Sequence, residues 1–172
     1  MLACAAVLAG GATGAVLRSS ERARGLVAAR YLAARMTLAR TQAAAWGAAV
    51  ALRFEATPEG LAFSIYRDGN RNGVQSAEIE GNVDVQVEPP VLLQARFPGV
   101  RIGLAPGAPV DDPVHIGNTT LLTFSPRGTA TSGTIYVAGA DNTQWAVRVL
   151  GATGRTRVLR HDPSRDEWTV AF

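Results

Sequence analysis

The chain has 172 residues, 47% of them hydrophobic, and a formal net charge of +3, which suits one domain with an adequate core. All 17 basic residues are arginine, and Cys4 is the one cysteine, which excludes an intramolecular disulfide and any metal site built on several cysteines. The charge is uneven: Arg18 to Arg40 holds six arginines against Glu21, whereas Asp68 to Asp112 holds seven acids and only Arg71, Arg96 and Arg101. Such asymmetry fits an anionic neighbour for the first segment, and equally a solvated helix face.

Leu2 to Trp46 contains no proline, and its alanines, leucines and arginines favour helix until Gly47. At about 1.5 Å per residue that helix would be roughly 65 Å long, more than a domain of this size needs to fill its core. Part of it is expected to project. The run Leu2 to Leu17 is slightly shorter than a membrane-spanning helix, is weakened by Gly10, Gly11 and Gly14, and lacks the basic residues that open a secretory signal. A truncated membrane helix, a poor signal sequence and a buried helix are the three readings. Arg18, Arg22 and Arg24 directly after the run suit a membrane boundary and favour the first.

At helical spacing Val16, Ala23, Val27, Tyr31, Ala34, Leu38 and Ala45 share one stripe, with Arg18, Arg22 and Arg40 opposite. This stripe is expected to pack on the sheet that follows. Leu26, Leu32 and Met36 fall outside it, either as contacts for another subunit or as scattered exposed apolar residues.

After Gly47 the period changes to two. Val50, Leu52 and Phe54 alternate with Ala51, Arg53 and Glu55, and after the turn Thr57-Pro58-Glu59-Gly60 so do Leu61, Phe63 and Ile65 with Ala62, Ser64 and Tyr66, which predicts a β-hairpin. Val83, Val85 and Val87 alternate with Asp84, Gln86 and Glu88. Prolines and glycines then make Pro89 to Gly117 irregular, with short strands near Leu92 and Ile102. The last third alternates turn-rich segments with the β-prone runs Leu121 to Phe124, Thr134 to Val137, Trp145 to Leu150, Arg155 to Arg160 and Trp168 to Phe172, the spacing of antiparallel meanders. One long helix followed by strands makes the fold class α+β.

Two segments carry candidate chemistry. Asp68-Gly69-Asn70-Arg71-Asn72-Gly73 matches the start of a calcium loop, with Asp68, Asn70 and Asn72 as alternate oxygen donors around a glycine turn. The twelfth position is Ile79 rather than Glu, and Arg71 adds positive charge, so an Asx-rich turn is the competing reading. Arg155 and Arg157 are two apart on a strand and share a face, with Arg148 and Arg160 expected nearby. Forked guanidinium groups suit phosphate, while arginines guarding an edge strand are the alternative. Catalysis finds no support. His115 and His161 have no accompanying nucleophile motif, Asp111-Asp112 has no partners, and Gly10 to Gly14 is not a phosphate loop.

Three blocks in order resemble the GspH/FimT-type minor pseudopilins. YLAARMTLARTQAAAWGAAV, from Tyr31, is similar to the family's helix-to-first-strand block with its Ala-Arg-x-x-Ala pattern. RDGNRNG, from Arg67, resembles the loop after the second strand. LLTFSPRGTATSGTIYV, from Leu121, and the later TGRTRV resemble the Phe-x-Pro-x-Gly segment and the Gly-Arg-x-Arg strand. The resemblance covers about Ala28 to Arg160.

The resemblance implies a type IV pilin-like fold, a long N-terminal α-helix packed on antiparallel β-sheet. Residues 1–27 would form the protruding hydrophobic or transmembrane part of the helix, and residues 28–172 the periplasmic globular domain. The implied function is that of a minor pseudopilin, a structural subunit of a type II secretion pseudopilus or a type IV pilus, and not an enzyme. Its implied partners are other pilins or pseudopilins and the inner membrane, crossed once. The FimT-like branch implies an alternative, a DNA-binding minor pilin for uptake in transformation, with Gly154 to Arg157 fitting its Gly-Arg-x-Arg motif and Arg148, Arg155, Arg157 and Arg160 as candidate DNA contacts. No cofactor is implied, calcium on Asp68, Asn70 and Asn72 being the one candidate. Met1 to Leu17 lacks the family's basic leader, peptidase site and fifth-position Glu, which leads to the expectation of a start further upstream.

Overall fold

The computed structural model describes the backbone of residues 3–171 and the side chains of residues 19–171. The helix α1 (Ala3–Trp46) ends where Gly47 takes a φ of +61°, a left-handed conformation that glycine adopts without the steric cost of a Cβ. The side chains of the run Leu2 to Leu17, on which the expected membrane portion rests, lie outside the described residues, as do those of Val16 in the expected stripe and Arg18 opposite it. Among the described residues no helix is long and apolar enough to cross a membrane.

The face of α1 that packs on the sheet differs from the stripe that periodicity predicts. Ala28, Ala29, Leu32, Met36, Ala39 and Ala43 are buried, whereas Ala23, Val27, Ala34, Leu38 and Ala45 face solvent and Tyr31 is half-buried at the border. Alanine occurs on both sides of this helix, so its pattern carries little contrast, and steric fit decides the face. The small alanines let the helix backbone approach the sheet, and the long side chains of Leu32 and Met36 fill the space between them. Arginines border the contact. Arg24 donates to the carbonyl of Pro98 at 3.2 Å, Arg22 lies 3.6 Å from the carboxylate of Asp141, and Arg35 pairs with Glu88.

Beyond Gly47 the strands β1 (Val50–Thr57) and β2 (Gly60–Arg67) form the expected hairpin, in register from Val50 opposite Arg67 to Thr57 opposite Gly60. A short helix α2 (Ser76–Glu80) follows, and then β3 (Val85–Leu92). This strand passes through Pro89 and Pro90, where the sequence pattern predicts an irregular segment. Among the described residues it pairs with β2, and its register shifts between Glu88, opposite Ile65, and Val91, opposite Phe63, so Pro89 and Pro90 stand in an irregularity where their missing N–H groups cost no ladder bond. Next come α3 (Leu93–Arg96), β4 (Arg101–Ile102), β5 (Val114–His115), β6 (Leu121–Phe124), β7 (Gly133–Ala138), β8 (Gln144–Leu150), β9 (Arg155–Asp162) and β10 (Glu167–Val170).

These strands form one antiparallel sheet in the order β10-β9-β8-β7-β4-β2-β1-β6, with β3 added to β2 and β5 to β7. The core lies between α1 and one face of the sheet, where Leu32 and Met36 join Leu52, Phe54, Phe63, Ile65, Ile135, Trp145 and Val147. Two smaller clusters occupy the other face, one around Ala51, Tyr66, Ile79 and Leu121 and one around Tyr136, Ala146, Leu159 and Trp168. Gln144 is buried and fully engaged. Its Oε1 accepts from the Ala105 N–H at 2.6 Å, and its Nε2 donates to the carbonyls of Gly103, Val137 and Trp145.

Candidate functional site

The meander β7-β8-β9 brings three of the four candidate arginines together. Arg148 on β8 stands opposite Arg157 on β9, and Leu150 stands opposite Arg155. Because side chains alternate along a strand, Arg148, Arg155 and Arg157 share the face turned away from α1, beside Tyr136, Ala146 and Leu159. All three are exposed. Among the described residues none of the three forms an ion pair, and Arg148 Nε makes a long contact of 3.4 Å with Thr134 Oγ1.

Arg160 does not join them. It stands opposite Trp145, on the face that carries α1, and lines a cavity of about 370 Å³ together with Arg22 and Asp141. It lies an odd number of positions from Arg155 and Arg157, and that parity places it across the sheet.

On the same outer face the Trp168 ring lies 5.0 Å from that of His161 and 5.7 Å from that of Tyr136. His161 is buried, and its Nε2 lies 3.0 Å from Asp166 Oδ1. Burial pushes the Tyr136 phenol above its ordinary pKa of 10.0, and the charge of nearby Arg148 pulls it back in part.

The Asp68 loop is organised by its own backbone. Asp68 Oδ1 accepts from the N–H groups of Asn70 and Arg71 at 3.1 and 2.6 Å, and Oδ2 accepts from Gly73 N–H at 2.8 Å. Asp84, which sequence reasoning did not single out, accepts from Gly69 and Gln75 N–H and closes the loop from the other side. Asn70 and Asn72 turn their Nδ2 groups to Glu78 Oε1 at 3.0 and 2.8 Å. A cation at Asp68 would therefore have to compete with three backbone donors for the two oxygens of one buried carboxylate.

The third feature is the uncovered side of α1. Val27 and Leu38 are 51% and 39% exposed, on the face that also carries Ala23, Ala34 and Ala45. Val27 and Leu38 are eleven positions apart, as are Ala23, Ala34 and Ala45 in turn, which is about three helical turns and keeps the stripe on one line.

A long helix laid across one face of a large antiparallel sheet, with the far side of the helix left bare, defines an α+β pilin-like protein. The family model of the type II transport protein GspH matches residues 28–154, most of the chain, and the chain belongs to that family of structural pseudopilins. No curated protein and no solved structure matches it.

Proposed function

We propose that the chain is a minor pseudopilin that enters a type II secretion pseudopilus or a type IV pilus, with its helix against neighbouring subunits and its sheet on the filament surface. In this reading the N-terminal part of α1 holds the chain in the inner membrane and the domain lies in the periplasm. The single observation that carries the reading is the bare stripe of Ala23, Val27, Ala34, Leu38 and Ala45. Apolar helix surface that its own sheet leaves in water favours association with another helix. The test is the double substitution Val27→Arg, Leu38→Arg in the full chain. It should leave the thermal melt of the protein nearly unchanged and remove it from sheared filaments; wild-type incorporation would overturn the reading.

A second reading, capture of DNA, is favoured by Arg148, Arg155 and Arg157 on one face, none of which forms an ion pair among the described residues. Such binding would be independent of sequence and sensitive to salt, because it depends on displacing phosphate counterions. Replacing both Arg155 and Arg157 by Gln should lower the slope of log affinity against log salt by about 2. An unchanged slope and affinity would remove this face from consideration.

A further inference from the structure

The sheet is incomplete beside β1. Pairing of β1 with β6 ends at Arg53 opposite Leu121, and one further hydrogen bond runs from Phe54 N–H to the carbonyl of Thr120 at 3.0 Å. On its other edge β1 continues against β2 as far as Thr57. Alternate residues of an antiparallel strand offer their backbone groups to alternate edges, so Ala56 turns its N–H and C=O toward the same edge as Phe54, beyond the end of β6. Ala56 is exposed and takes part in no pairing on that edge among the described residues.

A groove of about 590 Å³ opens at this place, and its lining includes Phe54, Ala56, Leu61, Val114 and Thr120. Its charged lining residue is Asp112, with Asp111 next to it; both are exposed and neither forms an ion pair among the described residues. Asp112 Oδ1 accepts from the Val114 N–H at 2.8 Å, which fixes the carboxylate at the groove.

We infer that this groove receives an extended polypeptide segment of a partner protein, one that carries an apolar side chain next to a lysine or arginine. The segment adds a short strand to the open edge of β1. Its backbone pairs with the N–H and C=O of Ala56, its apolar side chain contacts Phe54, Leu61 and Val114, and its cation meets Asp112. Main-chain pairing supplies affinity in strand addition, and the side-chain contacts supply selectivity. The negative charge at the groove selects a cationic segment over an acidic one.

The experiment uses the full chain and two synthetic peptides with blocked ends, one alternating valine with lysine and one alternating valine with glutamate. Fluorescence anisotropy reads affinity, and amide hydrogen exchange reads Ala56. In the free protein the Ala56 amide should exchange rapidly, and saturating lysine peptide should slow it at least about tenfold. Asp112→Asn, which keeps the acceptor for Val114, should weaken the lysine peptide about threefold. The proposal is overturned if the Ala56 amide is already protected in the free chain, if the lysine peptide leaves it unchanged, if the glutamate peptide binds as well, or if Asp112→Asn has no effect.

Discussion

A Cβ placed on Gly25 of α1 would stand 2.7 Å from Nε1 of Trp145 on β8. Helix and sheet therefore meet at this point without room for a methyl group, and Trp145 is buried there. Glycine inside a helix costs about 1 kcal/mol relative to alanine, but overpacking a core costs about 1–3 kcal/mol. The clash should win. Gly25→Ala is expected to lower the melting temperature by a few degrees, and to cost less in a Trp145→Phe background. A raised melting temperature for the single variant would show that the contact has slack.

The two sides of α1 should respond differently to truncation. Leu32→Ala or Met36→Ala removes a fully buried side chain and should cost about 2–5 kcal/mol in urea unfolding. Val27→Ser and Leu38→Ser, on the exposed side, should stay within about 0.5 kcal/mol. Equal losses on both sides would mean that the domain covers more of the helix than these contacts indicate.

Asp68 is expected to matter for stability through its three backbone donors. Asp68→Ala leaves those N–H groups without acceptors and should cost at least about 2 kcal/mol, with the amides of Arg71 and Gly73 exchanging faster. Asp68→Asn, which keeps one carbonyl oxygen, should cost less. Calcium titrated into the full chain provides a separate readout: heat that disappears in Asp68→Ala would place a cation here in spite of the backbone donors.

Arg148 and Arg157 face each other with like charges, an arrangement that destabilises a strand pair. Arg157→Thr should therefore raise stability by up to about 1 kcal/mol while weakening any binding of polyanions. A variant that loses both stability and binding would point to a packing role for the Arg157 stem.

Tyr136 on β7, beside Arg148 on β8, sets a pH dependence. Its folded-state pKa is raised above the ordinary 10.0 by burial, so the group's contribution to stability is present below that ordinary value and is lost as pH rises through the folded value. Arg148 opposes the rise, so Arg148→Gln should move the phenol titration further up. Absorbance titration of the phenols above about pH 9, with melts at the same pH values, checks both statements.

Much of the strand layout was legible in the sequence because alternation and turn residues are local signals. The hairpin from Val50 to Arg67 and the strands of the last third lie where period two and the Gly, Pro and Asp clusters place them. The course of β3 through Pro89 and Pro90 was not legible, because a proline reads as a breaker until the register shift that accommodates it is known. The packing face of α1 was not legible either, since alanines on both sides leave the choice to Leu32, Met36 and the shape of the sheet.

The arginine face shows the same division. Arg155 and Arg157 share a side by parity alone, which any strand dictates, and parity also separates Arg160 from them. That Arg148 stands opposite Arg157 depends on the β8–β9 register, which is a relation between strands. By itself the sequence determined the long helix, its end at Gly47, most of the strands and the α+β class, because each follows from neighbours a few residues apart. Only the tertiary structure decided which side of the helix remains bare, which arginines meet and where β1 runs past the end of β6. Those outcomes depend on steric fit and hydrogen-bond pairing between segments far apart in the chain.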